Sequence, residues 1–99
     1  MVDTLHKLKV LKDTYDSAEL DLVLVKLLEI TLSRYRSRLE RYEQDLRKFE
    51  VRYNMDSDVF SRRFKAGKLG DAMDFFEWFG LYELRQDLVA KIHRLESVS

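Results

Sequence analysis

The residues with catalytic potential are few and lie far apart in the sequence. The two histidines, His6 and His93, have neither a cysteine partner nor an HExxH-type spacing, so we expect both to be surface residues rather than ligands or bases. Ser57 and Ser61 have no local triad signature, and three glycines cannot build a recognised phosphate loop. We therefore predict that the chain is not an enzyme and needs no cofactor.

Carboxylates recur every third residue at Asp71, Asp74 and Glu77, a pattern that can in principle coordinate a divalent cation. Carboxylates in the first turn of a helix are already explained by capping and by the helix dipole. Because the chain has no cysteine, a thiolate metal site and a disulfide framework are also excluded. The sequence therefore predicts no metal site.

Charge is segregated along the chain although the net charge is zero. Residues 1–33, 34–68 and 69–99 carry net charges of −2, +5 and −3. In an antiparallel hairpin the acidic third block folds back along the basic second block, so the pattern favours pairing between neighbouring helices. A nucleic-acid surface is the less favoured alternative, because such proteins usually carry excess positive charge overall. Its candidate residues are Arg34, Arg36, Arg38, Arg41, Arg62, Arg63 and Lys65.

The strongest pattern is structural: along residues 25–53, apolar residues recur in alternating steps of three and four. Its members are Val25, Leu28, Leu32, Tyr35, Leu39, Tyr42, Leu46, Phe49 and Tyr53. This heptad seam keeps an apolar stripe along one side of a helix, and such a stripe is stable only when another helix covers it. The sequence therefore predicts a protein that holds helices together.

The absence of proline favours long uninterrupted helices. We predict an all-α fold that forms a single domain over residues 1–99. A long helical hairpin is expected from helices at about residues 17–53 and 72–96, with a short helix at about residues 57–66 between them and assembly into a helical bundle. An N-terminal arm or helix is expected at about residues 2–14. On one side of it lie the apolar residues Leu5, Leu8, Leu11 and Tyr15.

Local signals indicate where the helices begin and end. Asp56 is expected to accept hydrogen bonds from the first amides of the short helix, and Asp71 to cap the final helix. Gly67 suits the left-handed residue that ends a helix. Gly80 lies in the middle of the final helix, where glycine costs about 1 kcal/mol relative to alanine, and this predicts a close backbone approach.

Two segments carry more apolar surface than a hairpin seam requires. Drawn on a helix, the apolar residues of segments 20–32 and 75–82 each cover about 220°, against about 100° for an ordinary surface helix. For the first segment we favour another chain as the cover, since the N-terminal arm is short and carries lysines between its apolar residues. For the second we favour internal packing, with a partner surface as the alternative. The candidate dimer or partner interface residues are Leu20, Val23, Leu24, Leu27, Leu28, Phe75, Phe76, Trp78, Phe79 and Tyr82.

The segment from Tyr53 to Glu83 contains a distinctive run of aromatic and acidic residues. They are Tyr53-Asn54-Met55-Asp56-Ser57-Asp58, Phe60, Phe64, Gly67, Leu69-Gly70-Asp71, Asp74-Phe75-Phe76-Glu77-Trp78 and Leu81-Tyr82-Glu83. This segment, about a third of the chain, resembles a group of short bacterial and archaeal helical proteins that look like the antitoxin half of toxin and antitoxin gene pairs. The resemblance implies a partner protein and no catalytic residues.

These observations predict a non-catalytic protein-interaction module. We expect an antitoxin-like protein that dimerises through residues 20–32 and neutralises a partner protein such as a toxin by covering its active surface. The alternative is a self-assembling coiled-coil protein with a structural or regulatory role. Since Asp21, Lys26 and Glu29 interrupt the most apolar run well short of the ~20 residues that a membrane span needs, we expect a cytoplasmic protein without a membrane segment.

Overall fold

The computed structural model describes residues 3–99 as an all-α fold without strands in that range. Its four helices are α1 (Thr4–Thr14), α2 (Ser17–Tyr53), α3 (Ser57–Lys65) and α4 (Met73–Glu96). The predicted fold class, a long helix pair with a short helix between its members, is confirmed. The N-terminal helix was expected from about residue 2, which lies outside the described residues, and α1 begins at Thr4.

Ion pairs near both ends of α4 show that it runs antiparallel to α2. Arg52 in the last turn of α2 donates to Asp74 in the first turn of α4 at 2.7 Å, and Arg36 donates to Glu96 at the end of α4 at 2.8 Å. Each pair joins a base of the second block to an acid of the third, as the charge pattern predicted. Residues 17–30 of α2, roughly 20 Å of helix at 1.5 Å per residue, extend past the end of α4.

Several helices begin or end where the residues at that position favour it. At the start of α2, Asp16 accepts a hydrogen bond from the backbone amide of Glu19 at 2.8 Å, and this bond lowers the pKa of Asp16 below its usual value. Asn54 ends α2 in a left-handed conformation with φ of 50°. Gly67, with φ of 70°, follows α3 as predicted.

Asp56 occupies the N-cap position of α3, as predicted, but two predicted side-chain caps are wrong. The side chain of Asp56 makes no capping hydrogen bond; instead, the amide of Ser57 donates to a carboxylate oxygen of Glu50 on α2 at 2.9 Å. The residue that caps α4 is Ala72 rather than Asp71, so the helix begins at Met73. Glu50 of α2 therefore accepts from the first amide of α3, and α4 begins without a side-chain cap.

The core consists of two clusters along the hairpin. The one near the open end contains Leu32, Leu88 and Ile92. The other joins α2, α3 and α4 through Leu46, Phe60 and Trp78. Stacking and edge contacts between aromatic rings make the second cluster the more densely connected of the two.

Trp78 is the centre of the second cluster. Its ring and that of Phe60 are both fully buried and lie parallel, with centroids 3.8 Å apart and planes 4° apart. Phe49 and Tyr53 of α2 each place their rings 5.7 Å from that of Trp78. The indole N–H donates to the hydroxyl of Ser57 at 2.9 Å, so its polar group is satisfied although the side chain is excluded from water.

The close backbone approach predicted at Gly80 does not occur within the chain. A methyl group built on its Cα meets no atom within 4 Å. Gly80 lies instead in an open groove between α2 and α4, so its lack of a side chain is not required by packing among the described residues.

We expect Ser57→Ala to lower the free energy of unfolding by about 1–3 kcal/mol, because the buried indole N–H of Trp78 loses its acceptor. Urea unfolding of the purified protein measures this. The control is Ser61→Ala, which removes an equally buried hydroxyl that does not contact the indole N–H. In a Trp78→Phe background the cost of Ser57→Ala should largely disappear; a cost that stays the same would contradict the pairing.

We expect Gly80→Ala to raise the free energy of unfolding by about 0.5–1 kcal/mol, since alanine is the better helix former and the added methyl meets open space. Thermal or urea unfolding measures the change. Gly67→Ala provides the contrast, because a left-handed φ costs a residue with a side chain about 1 kcal/mol. A destabilising Gly80→Ala would show that the groove is closed in solution.

Candidate functional site

Exposed apolar side chains are concentrated at the N-terminal end of the described chain. Among residues 3–99, sixteen large apolar side chains are exposed, and eleven of them lie between Leu5 and Ile30. We refer to these eleven as the N-terminal apolar surface: Leu5, Leu8, Val10, Leu11, Tyr15, Leu22, Val23, Leu24, Val25, Leu27 and Ile30. The other five are scattered over the rest of the chain, so one end of the molecule is distinctly apolar.

The part of this surface on α2 is left exposed by both α1 and α4, and the part on α1 is exposed as well. The exposed fraction of the α1 stripe falls from 77% at Leu5 through 53% at Leu8 and 45% at Leu11 to 36% at Tyr15, and no residue of α1 is buried. This gradient indicates that α1 diverges from α2 with distance from the turn that joins them. The apolar faces of both helices are therefore open.

An open depression marks the part of the surface that continues the α2 seam. Its lining includes Leu24, Val25 and Leu28 of α2, with Asp21 among them and Val98 from the turn after α4. These leucine and valine side chains lie where a further turn of α4 would have to continue in order to cover them. The seam of α2 is therefore longer than the helix that packs on it.

The structure separates the predicted residues of this segment into two groups. Val23, Leu24 and Leu27 are exposed, whereas Leu20 and Leu28 are half-buried. The candidate set omitted the apolar residues of α1, although their spacing was visible in the sequence. The N-terminal arm was set aside because it is short, although its apolar residues follow a helical spacing.

The predicted aromatic residues lie mostly in the protein core. Trp78 is fully buried, and Phe75, Phe79 and Tyr82 are half-buried against the same cluster. Phe76 is the exposed member of the five, at 54%. The internal packing that the sequence favoured for this segment therefore accounts for most of its apolar arc.

Phe76 lies in the groove between α2 and α4 that also contains Gly80. Phe49, Leu81 and Leu84 complete its apolar lining. The charged residues around it are Asp45, Lys48, Arg52, Asp74 and Glu77. This α2–α4 groove is a second, smaller apolar surface, and its floor is open because Gly80 has no side chain.

A three-residue polar cluster at the groove links α2 to α4. One carboxylate oxygen of Asp74 accepts hydrogen bonds from the Tyr53 hydroxyl at 2.6 Å and from the Arg52 guanidinium at 2.7 Å. These bonds, with that from Tyr53 the larger effect, lower the pKa of Asp74, and the same carboxylate raises the pKa of Tyr53. The cluster therefore holds two helices together through one oxygen of Asp74.

A polar cleft between α2, α3 and α4 contains several paired side chains, whereas Arg47 and Asp56 on its lining have no side-chain partner among residues 3–99. Arg85 donates to Glu43 at 3.3 Å, and the Tyr82 hydroxyl donates to Asp58 at 2.6 Å, which raises the pKa of Tyr82. Glu50, on the same cleft, accepts from the amide of Ser57. These side chains stabilise the corner between the helices, and their hydrogen bonds are directed at one another.

The residues considered for chemistry stay apart in space. His6 and His93 are exposed on α1 and α4, and the Ser57 hydroxyl accepts from Trp78. Within residues 3–99, no three histidine or acidic side chains come together to hold a metal ion, so the acidic repeat at 71–77 does not form a site. None of the helices in that range is long and apolar enough to cross a membrane.

Comparison with protein-family models, with curated proteins and with solved structures finds no match to the chain. The N-terminal apolar surface and the α2–α4 groove are therefore the features of the structure that bear on function.

We expect the stabilisation contributed by Asp74 to be present above about pH 4, the ordinary range of an aspartate, and to be lost as the pH falls through its lowered native pKa. Asp74→Asn should therefore be less stable than the native chain near neutral pH, with a difference that shrinks under acid. Urea unfolding at a series of pH values from neutral to about 2 measures it.

The control for this pH series is Asp71→Asn. It removes an exposed carboxylate three residues away and leaves Asp74 bonded to Tyr53 and Arg52. A difference between Asp74→Asn and the native chain that is constant over the whole series would contradict the assignment.

Proposed function

We propose that the chain is a non-catalytic protein-interaction module whose N-terminal apolar surface binds another polypeptide. The observation that carries this proposal is the concentration of exposed apolar side chains between Leu5 and Ile30. Soluble monomers rarely expose contiguous apolar patches beyond a few hundred Å², and larger ones mark interaction sites.

The size of the surface is appropriate for a specific interface. Its eleven side chains are between 36% and 77% exposed, so they supply an area on the order of the roughly 800 Å² that each partner contributes to an interface of standard size. Complete burial of a leucine or isoleucine is worth about 1.5–3 kcal/mol relative to full exposure. Covering several half-exposed side chains therefore gives enough driving force to offset the entropy lost on association.

An antitoxin-like role is the finer part of the proposal. Such a protein acts by burying its apolar side chains against a partner and covering the active surface of that partner. Support comes from the resemblance of residues 53–83 to antitoxin-like proteins. Most aromatic residues of that segment form the core, so Phe76 in the α2–α4 groove is its best placed anchor for a partner.

Self-assembly is the second candidate function. The heptad seam of α2 continues past the end of α4 into Leu24, Val25 and Leu28, which is how a helix that pairs with another chain behaves. Nucleic-acid binding has less support, because two of its candidate residues, Arg36 and Lys65, are already paired with acids of α4.

We expect the native chain to associate in solution and Leu24→Glu with Leu27→Glu to abolish the association. Both side chains are about half exposed, so charges there disrupt an interface without entering the core. Multi-angle light scattering measures the mass, which should exceed the 11.9 kDa of one chain for the native protein and equal it for the variant. Circular dichroism should show that the variant stays helical.

The matched control is Val51→Glu with Met73→Glu, which places two charges on exposed apolar positions outside the N-terminal apolar surface. Its mass should equal that of the native protein. For the antitoxin-like role, the product of the neighbouring gene is co-expressed with each variant. A native chain that keeps the single-chain mass and that does not bind the neighbouring product would contradict the proposal.

A further inference from the structure

We infer that the N-terminal apolar surface is covered by a second copy of this chain, with α1 of each copy packed on residues 17–31 of the other. This inference rests on the proposed function and names the partner of that surface. The geometry that points to it is a single charge of opposite sign inside each of the two open apolar faces, Lys12 on α1 and Asp21 on α2.

Lys12 lies within the apolar face of α1. Drawn at about 100° per residue, Leu5, Leu8 and Leu11 form one stripe, and the direction of Lys12 falls between those of Leu5 and Leu8. A surface lysine normally lies on the polar side of an amphipathic helix. Covering this face with a purely apolar partner would remove the ammonium group of Lys12 from water without compensation.

Asp21 lies in the corresponding position on α2. Its direction falls between those of Val25 and Leu28, and its side chain lines the open depression together with Leu24. Neither Asp21 nor Lys12 takes part in an ion pair among residues 3–99. Each face therefore carries a charge that only an occupant of opposite charge can satisfy.

A second copy of the chain supplies an opposite charge to both Lys12 and Asp21. In a two-fold arrangement, the same contact occurs once in each direction, so Lys12 of one copy meets Asp21 of the other, and the reverse contact follows from symmetry. The surrounding charges agree with this pairing. On α1 the bases Lys7, Lys9 and Lys12 outnumber the single acid Asp13. On residues 17–31 of α2 the acids are Glu19, Asp21 and Glu29, and the single base Lys26 is paired with Glu29.

Helix α1 also needs such a partner for its own stability. It has 11 residues, and isolated helices shorter than about 12–15 residues are marginal in water. Its contact with its own α2 is restricted to the end near Tyr15, as the exposure gradient shows. Packing on a second copy covers the whole α1 stripe and the face of α2 that α4 does not reach.

An anionic membrane is the competing occupant. Leucines with flanking lysines on α1 are also typical of helices that lie in a membrane interface. The acids Glu19, Asp21 and Glu29 next to α1 would be repelled by anionic lipid, whereas they complement a second α1. The chain's own charges therefore favour the second copy.

The test is a charge exchange between two full-length variants. Lys12→Asp alone and Asp21→Lys alone should each raise the dissociation constant of the dimer by about 100-fold or more, since two like-charge contacts then form in every dimer. An equimolar mixture of the two variants should return to within about tenfold of the native value, because each contact is again between opposite charges. Sedimentation velocity over a concentration series measures all three.

Two further variants serve as controls for the charge exchange. Lys12→Asp combined with Asp21→Lys in one chain should dimerise like the mixture. Lys68→Asp, an exposed position between α3 and α4 and outside residues 17–31, should leave the native dissociation constant unchanged within about threefold. Circular dichroism should show helical chains throughout.

Four outcomes would overturn the inference. In the first, single charge reversals dimerise as the native chain does. In the second, the mixture stays as dissociated as its components. In the third, the native chain is monomeric and sediments only with phosphatidylserine vesicles. A native monomer that binds the neighbouring-gene product through Leu24 and Leu27 would also overturn it, while leaving the proposed function intact.

Discussion

Burial of Trp78 is the constraint on which the rest of the folded structure depends. Its indole stacks on Phe60 of α3, contacts Phe49 and Tyr53 of α2, and donates to the Ser57 hydroxyl, so one side chain connects three helices. Because all of this occurs at one end of the hairpin, the register of α4 on α2 is set there. The helices then run side by side for the length of α4, and the longer α2 continues uncovered. The apolar end of the molecule follows from where α4 is anchored and from how short it is.

Much of this fold was accessible from the sequence, and what was not depended on tertiary contacts. The three-four alternation from Val25 to Tyr53 predicted α2, and Gly67 predicted the end of α3, because both are local properties of the chain. The side-chain cap at Asp56 was wrong because a carboxylate oxygen of Glu50 on α2 accepts from the amide of Ser57 instead, and the cap at Asp71 was wrong because α4 begins at Met73, after Ala72. At the start of α3, Glu50 of α2 accepts the hydrogen bond that local rules assign to the capping residue Asp56.

The candidate surfaces were predictable only in part, for a related reason. An apolar arc wider than one helix can cover shows that more cover is needed, but it does not say whether the same chain supplies it. For Trp78 the cover comes from α3, which the sequence placed but whose depth of contact it did not specify. For Leu24 and Leu27 the cover is missing, because α4 ends too early. The open space beside Gly80 could not be predicted either, because a glycine within a helix occurs both where a neighbouring backbone is close and where none is.

The two ends of the molecule divide stability and interaction between them. At the aromatic end the largest rings are fully buried, and no buried side-chain polar atom among residues 3–99 lacks a hydrogen-bond partner. The N-terminal end has an 11-residue helix without a buried residue, next to a seam without a partner. Under the proposed function, a molecule that binds the ordered form of this end stabilises it by RT ln(1 + c/Kd), where c is the concentration of that molecule, and this stabilisation grows with the logarithm of c once c exceeds Kd. The same proposal assigns the change of state to the N-terminal end, because the buried aromatic cluster lies at the other end of the hairpin.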